Sequence, residues 1–317
     1  MRMSFLCGRV FAVTLFACLV SGHAWAQNCS FGVSAMNFGQ IDTLSGAQTD
    51  TSASTSVSCS GLPLNRILVC AGIGSGSGGA TAAARQLASG GNQLNYQLYV
   101  NSARSVVWGS NSWPFPPGPA AFQLTLNVLG QGSGTIPIYG RLFGGQANAP
   151  PGNYLSSFSG NDVEFRYRYT TSNNCSTSAG NVVRPSFTVS ATVPANCLVS
   201  TQDIDFGSQG VLAANVDATG QVDVRCTPGS AYTIALNGGN AGAPPTERKM
   251  TKGSETVTYG LYRDAARSQP WGTEVGTTVP GSGNGAGQSF TVYGRVPPQN
   301  TPSPGTYVDT VVVTVTY

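Results

Sequence analysis

Only 9% of the 317 residues are charged, against roughly 25% in an average soluble protein. The formal net charge is +3, which does not resemble the basic surface of a nucleic-acid-binding protein, and we expect no nucleic-acid partner. The one histidine, His23, lies in an N-terminal segment that we expect to be removed. This argues against a His-based catalytic triad and against histidine metal ligands, and we expect neither metal nor cofactor.

Residues 1–26 have the pattern of a secretory signal peptide. Arg2 and Arg9 form a basic region before a short apolar run at residues 10–20, and an Ala-Trp-Ala cleavage site ends at residue 26. The apolar run is too short to span a bilayer. We therefore expect export and a mature chain that begins at Gln27. The alternative is a lipid anchor at Cys18, because the residues before it loosely resemble a lipoprotein cleavage box.

The remaining chain contains two copies of one sequence pattern. Each copy opens on Asn-Cys and continues to a Phe-Gly pair, at residues 28–39 and 196–207. Later landmarks keep their order in both copies: Tyr-x-Leu-Tyr, Ala-Arg-Ser before Trp-Gly, Tyr-Gly-Arg, and Pro-Gly before a tyrosine. A repeat of this length predicts two domains rather than a solenoid. We place the first domain at residues 27–185, a connecting segment at 186–195 and the second domain at 196–317.

Both copies consist of short β-rich segments separated by Gly, Pro, Ser and Asn. Residues 222–226, 232–236 and 256–262 are examples. No long stretch keeps a helical period, and residues 80–87 predict at most one or two helical turns. Many short strands at this spacing favour a β-sandwich, and each copy is long enough for its own core. The predicted fold is all-β, with two immunoglobulin-like β-sandwich domains.

The cysteines predict disulfides. Eight cysteines, less Cys7 and Cys18 of the signal peptide, leave six, and an even number in an exported chain is typical of disulfide bonding. Two pairs occupy equivalent places in the two copies, and the two remaining cysteines both lie in the first domain. The alternative for these last two is that they are free buried thiols. The expected pairs are Cys29–Cys59, Cys197–Cys226 and, in the first domain alone, Cys70–Cys175.

Two segments alternate polar and apolar residues. A period of two places every second side chain on one face of a strand. In residues 186–193 the apolar face consists of Phe187, Val189, Ala191 and Val193. In the C-terminal segment it consists of Val311, Val313, Val315 and Tyr317.

An immunoglobulin-like sandwich needs a closing strand after the C-terminal segment of each copy. Residues 186–193 are available to close the first domain, but the second domain has no equivalent segment after it. A missing strand leaves an open apolar groove and unpaired backbone groups. We therefore expect the second domain to accept a strand from another polypeptide at its terminal strand.

The ordered motifs resemble a known family. The Asn-Cys opening, the Tyr-Gly-Arg motif and the C-terminal Pro-Gly-Thr-Tyr307-Val-Asp-Thr-Val311 are similar to the spore coat protein U domain, which includes subunits of archaic chaperone–usher pili. In that family ordinary subunits begin with an alternating donor strand before their first cysteine. Residues 186–193 resemble such a strand, so we expect them to complete the first domain in cis. No such strand precedes Cys29, which implies a subunit that accepts a strand and donates none.

The resemblance implies a two-domain tip adhesin that caps a pilus and mediates surface attachment and biofilm formation. The implied partners are a periplasmic pilus chaperone, an outer-membrane usher and an adjacent pilin subunit that donates a strand. The implied route is through the periplasm to the cell surface. The alternative is a structural pilus-shaft or spore-coat-like protein without a specific ligand. A secreted hydrolase that uses Asp203 and Asp205 is a third reading, but these residues belong to the repeated motif, and we expect no enzyme.

Segments of the first domain that have no counterpart in the second domain are candidate contact loops. Trp108 has a counterpart in Trp271 and is expected in the core. The residues Trp113, Pro114, Phe115 and Pro116 have no counterpart, and neither have Leu62 and Leu64. Aromatic side chains on a stiff loop lose little entropy on binding, although they could instead fold back onto the sandwich. The loop 144–151 is a third candidate. The ligand stays open between an abiotic apolar surface, a glycan and a host protein.

Overall fold

The computed structural model describes residues 27–111 and 118–317, which fold as two β-sandwiches. The predicted signal peptide, residues 1–26, and the segment with Trp113, Pro114, Phe115 and Pro116 lie outside the described residues. Over the described ranges the only helix is a three-residue 3-10 turn at Gly160–Asp162, and no helix is long and apolar enough to cross a bilayer. The predicted all-β, two-domain fold is confirmed.

Two sheets form the first domain. Its strands are β1 (Asn28–Val33), β2 (Met36–Gln40), β3 (Thr49–Ser60), β4 (Arg66–Ile73), β5 (Arg85–Ser89), β6 (Asn92–Tyr99), β7 (Ala120–Thr125), β8 (Gln131–Leu142), β9 (Gly152–Phe158), β10 (Val163–Tyr169), β11 (Asn181–Val183) and β12 (Phe187–Val193). The sheet orders are β1-β3-β8-β6-β5-β9-β12-β2 and β11-β10-β4-β7. The helical turn expected in residues 80–87 is wrong, because Ala80 bridges to Arg85 and β5 begins there.

The second domain repeats this plan with fewer strands. They are β13 (Cys197–Gln202), β14 (Val216–Cys226), β15 (Ala231–Leu236), β16 (Arg248–Lys252), β17 (Glu255–Tyr262), β18 (Val279–Ser282), β19 (Gln288–Val296) and β20 (Val313–Thr316). The sheet orders are β13-β14-β19-β17-β16 and β18-β15-β20. Residues 203–207 and 304–312 match β2 and β9 by sequence. They form no strand, apart from a bridge between Thr251 and Val308.

Strand β12 lies inside the first domain, although it immediately precedes the second. It pairs antiparallel with β9, from Phe187 opposite Phe158 to Val193 opposite Gly152, and it pairs parallel with β2. The side chains of Phe187, Val189, Ala191 and Val193 are all buried in the core of the first domain. The alternating pattern therefore corresponds to a strand with one face on that core and both edges paired.

The interiors of the two domains contain equivalent residues in equivalent contacts. The buried indoles of Trp108 and Trp271 donate hydrogen bonds to Ala71 O and Ile234 O, at 2.7 and 3.0 Å. A buried arginine lies beside each tryptophan and donates to its carbonyl oxygen, Arg85 at 2.6 Å and Arg248 at 2.8 Å. Burial lowers the pKa of Arg85 to about 9, so its guanidinium is still charged at neutral pH.

Three disulfides link the described cysteines. Two of them join the first strand of each domain to its neighbour, β1 to β3 and β13 to β14. The third ties the segment around Cys175 to the middle of β4, which is buried on both faces. These are the three pairs that the repeat predicts: Cys29–Cys59, Cys197–Cys226 and Cys70–Cys175.

Candidate functional site

A groove lies open in the second domain at the place that β12 occupies in the first. Residues 203–206 form one wall and residues 307–311 form the other, and these segments match β2 and β9, between which β12 lies. The cavity volume is about 440 Å3. Apolar side chains of the sheets form its floor: Val222, Leu236, Leu261 and Val292. The shape and lining suit an extended chain with alternating apolar side chains.

Equivalent wall residues differ in burial between the two domains. Met36 and Phe38 are buried in the first domain, where β12 covers them. Their counterparts Ile204 and Phe206 are only half-buried, although they pack against the second core. Apolar surface that the first domain removes from water thus stays partly exposed in the second, which is unfavourable by about 25 cal/mol per Å2.

The terminal segment of the second domain is divided between the groove and the opposite sheet. Val311 and Val313 line the groove, whereas Val315 packs against the core on β20, which pairs with β15. Tyr317 departs from the expected strand, since it follows the end of β20 and is 54% exposed. The reason is visible at its counterpart, Tyr167.

Two neighbours cover Tyr167 in the first domain. Phe31 packs against its ring, and β11 pairs with its strand at Asn181. The second domain has Val199 in place of Phe31, and the described residues contain no counterpart of β11. Tyr317 therefore lacks the contacts that would bury it.

Polar contacts hold the C-terminal wall of the groove in place without a neighbouring strand. The hydroxyl of Tyr259 donates to Asp309 Oδ2 at 2.7 Å, and Asn240 N donates to Asp309 Oδ1 at 2.8 Å. Val312 N donates to Asn237 Oδ1 at 2.9 Å. Burial, aided by the neighbouring carboxylate, raises the pKa of Tyr259, so the phenol keeps its proton and donates. These bonds fix the position of the C-terminal wall of the groove.

A second candidate surface lies at one end of the first domain. We call it the apolar end: Leu62, Leu64, Val128 and Leu129. The exposed fractions of Leu64, Val128 and Leu129 are 68%, 72% and 69%. Two loops carry these side chains, one before β4 and one between β7 and β8, and the sequence indicated only the first of them.

Backbone hydrogen bonds join the two loops of the apolar end. Leu64 N donates to Asn127 O at 3.2 Å, and Leu126 N donates to Asn65 O at 2.9 Å. Leu62 N donates to the hydroxyl of Tyr169 at 2.7 Å. Leu64 has φ of +60°, a left-handed conformation that is strained for a branched side chain. The surface is therefore a fixed shape rather than two independent loops.

The apolar end is remote from the second domain. The domains meet where Asn196 donates to Asp42 Oδ1 at 3.2 Å and Arg225 donates to Leu44 O at 3.3 Å, just before β3 begins. The apolar end adjoins the other end of β3, whose 12 residues span about 35 Å. The loop 144–151 packs on Gly46 and, at Ala147, against Gly285 of the second domain, so it lies on the near side.

The segment that carries Trp113 and Phe115 cannot be compared directly, because it lies outside the described residues. The described strand after it, β7, begins at Ala120 opposite Ala71, near the end of β4. Leu62 and Leu64 precede the start of β4 at Arg66. The described residues that flank the Trp113 segment thus lie near the end of β4, and Leu62 and Leu64 lie before its start.

Comparison with known proteins gives related sequences and related folds. The model of the Spore Coat Protein U domain matches residues 14–160 and again residues 184–314. Protein U of Myxococcus xanthus is 37% identical over 114 residues, which is 33% of this chain and 63% of that protein, so the chain spans less than two thirds of that relative's length.

Two solved structures match most of this chain. One is a chain of the CsuC–CsuE chaperone–tip adhesion subunit pre-assembly complex from archaic chaperone–usher Csu pili of Acinetobacter baumannii, with a TM-score of 0.56, 17% identity and coverage of 92% of this chain and 100% of that chain. The other is the CupB6 tip adhesin of Pseudomonas aeruginosa, with a TM-score of 0.42, 15% identity and coverage of 92% and 94%.

The match to this family indicates a structural, non-enzymatic protein. The motifs that carried the resemblance at the start of each copy, and again at Tyr307, fall within the two matched ranges. The chain belongs to the Spore Coat Protein U domain family, whose domain it contains twice.

Proposed function

We propose that this chain is the tip subunit of a chaperone–usher pilus and attaches the fibre to surfaces through its first domain. One observation carries the proposal: the site that β12 fills in the first domain is an open groove in the second. The second domain then takes a strand from the adjacent pilin subunit. An added strand supplies both the backbone hydrogen bonds and the apolar side chains that the groove lacks.

Export requires that the groove be covered before assembly. An exposed apolar groove with unpaired backbone groups promotes aggregation. A periplasmic chaperone would cover it in transit, and an outer-membrane usher would exchange the chaperone for the next subunit at the cell surface. The similarity to a chain of a chaperone–tip adhesion subunit complex supports this route.

The engagement of β12 supports the tip position. Both edges of β12 are paired, with β9 and with β2, and its apolar side chains are buried in the same domain. This strand is therefore not free to enter a neighbouring subunit. The apolar end points away from the second domain, and the second domain is the part of the chain that would be joined to the fibre.

The chemistry of the apolar end favours an apolar target. Its four exposed side chains are all aliphatic, and its two loops are fixed to one another, so little entropy is lost on contact. Aliphatic groups gain most by removing apolar surface from water. An abiotic apolar surface or an apolar patch of a host protein fits better than a glycan. Trp113 and Phe115 remain a separate proposed contact.

Attachment by cells that assemble the fibre tests the proposal. Replacing Leu62, Leu64, Val128 and Leu129 with serine should abolish most attachment to a hydrophobic surface, with unchanged display of the subunit. The matched control replaces Val211 and Val275, which are 80% and 102% exposed on the second domain. A separate arm replaces Trp113 and Phe115 with alanine. If the serine variant attaches normally but its fibres are shortened or missing, the structural alternative is favoured instead.

A further inference from the structure

The open groove carries a charged side chain at one inward position where the filled one carries a neutral side chain. In the first domain, Ser156 of β9 lies directly opposite Val189 of β12. Ser156 follows Tyr154 by two residues, and the residue that follows Tyr307 by two in the second domain is Asp309. A strand that enters the second groove in the register of β12 therefore places its second inward-facing residue, the one equivalent to Val189, opposite a carboxylate.

Asp309 forms no salt bridge within the described part of the chain, although its charge interacts with that of Arg248. Its oxygens accept from Tyr259, from Asn240 N and from Thr310 N, and none of the ion pairs of the described residues includes it. Arg248 lies nearby, but its guanidinium donates to the carbonyl oxygens of Leu236, Asn237, Pro245 and Trp271. Asp309 is half-buried and lines the groove, from which water reaches it.

Insertion of a strand would remove this water. A buried carboxylate whose remaining lone pairs are unpaired is strongly unfavourable. The aliphatic side chain of Val189 makes no hydrogen bond. It is tolerated in the first domain because the group opposite it, the hydroxyl of Ser156, is neutral and accepts a bond from Gly78 N at 3.1 Å.

We infer that the strand which closes the second domain carries, opposite Asp309, a side chain that donates a hydrogen bond, such as threonine, serine or lysine. This rests on the proposed function of the groove as a strand acceptor. Asp309 is then a specificity-determining residue, since it admits such strands and disfavours strands like β12. The same discrimination keeps one copy of this chain from closing the second domain of another with β12.

Peptide binding to the full exported chain tests the inference. One peptide has the sequence of residues 185–194, and the second differs only by Val189→Thr, a change of nearly equal shape. We expect the threonine peptide to bind about tenfold more tightly by fluorescence anisotropy, the scale of one hydrogen bond to a charged group. The preference should vanish in Asp309→Ser, the residue of the first domain, and shrink in Asp309→Asn, which keeps an acceptor for Tyr259.

The outcomes separate the inference from the proposed function. Equal binding of both peptides to the natural chain, or a threonine preference that persists in Asp309→Ser, overturns the role of Asp309 while strand acceptance stands. Binding of neither peptide to any of the three proteins overturns strand acceptance, and the inference with it.

The first domain offers a reciprocal test that needs no ligand. Ser156→Asp in the full chain should lower the melting temperature of the first domain, because Val189 then faces a carboxylate. Adding Val189→Thr should restore part of the loss, whereas Val189→Thr alone should lower the melting temperature. Additive losses in the double variant overturn the inference.

Discussion

The ring of Phe187 stacks on the ring of Phe158, with centroids 4.5 Å apart and planes 5° from parallel. Phe187 opens β12, and Phe158 closes β9. This contact therefore fixes the segment before the second domain into the interior of the first. In the second domain Val311 takes the position of Phe158 and lines the open groove instead.

Phe187→Ala should destabilise the first domain alone. The side chain is buried, and its loss leaves a cavity beside Phe158, which typically lowers the free energy of unfolding by about 3–5 kcal/mol. Chemical denaturation that follows each domain separately measures the effect. Thr188→Ala, on the outward face of the same strand, is the control and should change little. Loss of stability in the second domain instead would contradict completion of the first domain by β12.

Hydrogen exchange should differ between equivalent segments of the two domains. Residues 152–158 form β9 and pair with β12, whereas the matching residues 305–311 form only the bridge from Val308 to Thr251. Amides without ladder partners open at lower free energy, so we expect faster exchange in 305–311. The control compares β3 with β14, which are fully paired in both domains. Equal protection of the two segments would show that the groove is closed in solution.

Leu64→Gly should reduce attachment without reducing the stability of the first domain. Leu64 has φ of +60°, which glycine adopts freely, and its side chain is 68% exposed. We expect an unchanged or slightly higher melting temperature, because relief of strain offsets the greater freedom of glycine in the unfolded chain. Attachment should fall, since the apolar contact is removed. Full attachment at normal display would exclude Leu64 from the contact surface.

The period of the sequence predicts which side chains share a face, but not which strands lie beside them. The inward set of β12 could be read from its alternation, whereas its neighbours, β9 and β2, could not. Val128 and Leu129 were missed because they belong to no alternating segment. They lie at the centre of an Asn127–Gly130 turn, where apolar residues are exposed, and that turn signal could have identified them.

The internal repeat concealed part of the groove. Subtracting one copy from the other assigns every shared position to the scaffold, and Ile204 and Phe206 belong to the shared motif that ends in Phe-Gly. They differ from Met36 and Phe38 only because no strand covers them. Asp309 lies in a motif that also served as a landmark, and its position facing the groove depends on the tertiary structure.

Acid should weaken both domains through equivalent ion pairs. Hydrogen bonds from Arg141 at 2.8 Å and Arg295 at 2.7 Å lower the pKa of Asp50 and Asp217 in the folded chain. A lowered folded-state pKa means that each pair stabilises the fold above the unfolded value of about 3.9, and that this is lost as pH falls through the folded value. Both carboxylates are well exposed, so the contribution is small.

Asn substitutions check this dependence. Asp50→Asn should lower the melting temperature of the first domain, and Asp217→Asn that of the second, near neutral pH. Each difference from the natural chain should shrink as pH falls through the lowered folded-state pKa, where the native carboxylates also take up protons. A difference that persists unchanged into acid would show that packing rather than charge is responsible.

Removal of the Cys70–Cys175 disulfide should destabilise the first domain and leave the second unchanged. The bridge joins residues 105 apart in sequence and holds Cys175 against Leu68 on the outer face of β4. That cover explains why β4 is buried on both faces. Replacing both cysteines with alanine frees the covering segment and lengthens the unconstrained chain, which typically lowers stability by about 2–5 kcal/mol.

Separate melting transitions of the two domains measure the effect of removing the Cys70–Cys175 disulfide. The control is the Cys197–Cys226 pair, whose removal should shift only the second transition. An unchanged first transition would mean that hydrogen bonds such as that from Arg168 to Asn174 O hold the segment without the bridge.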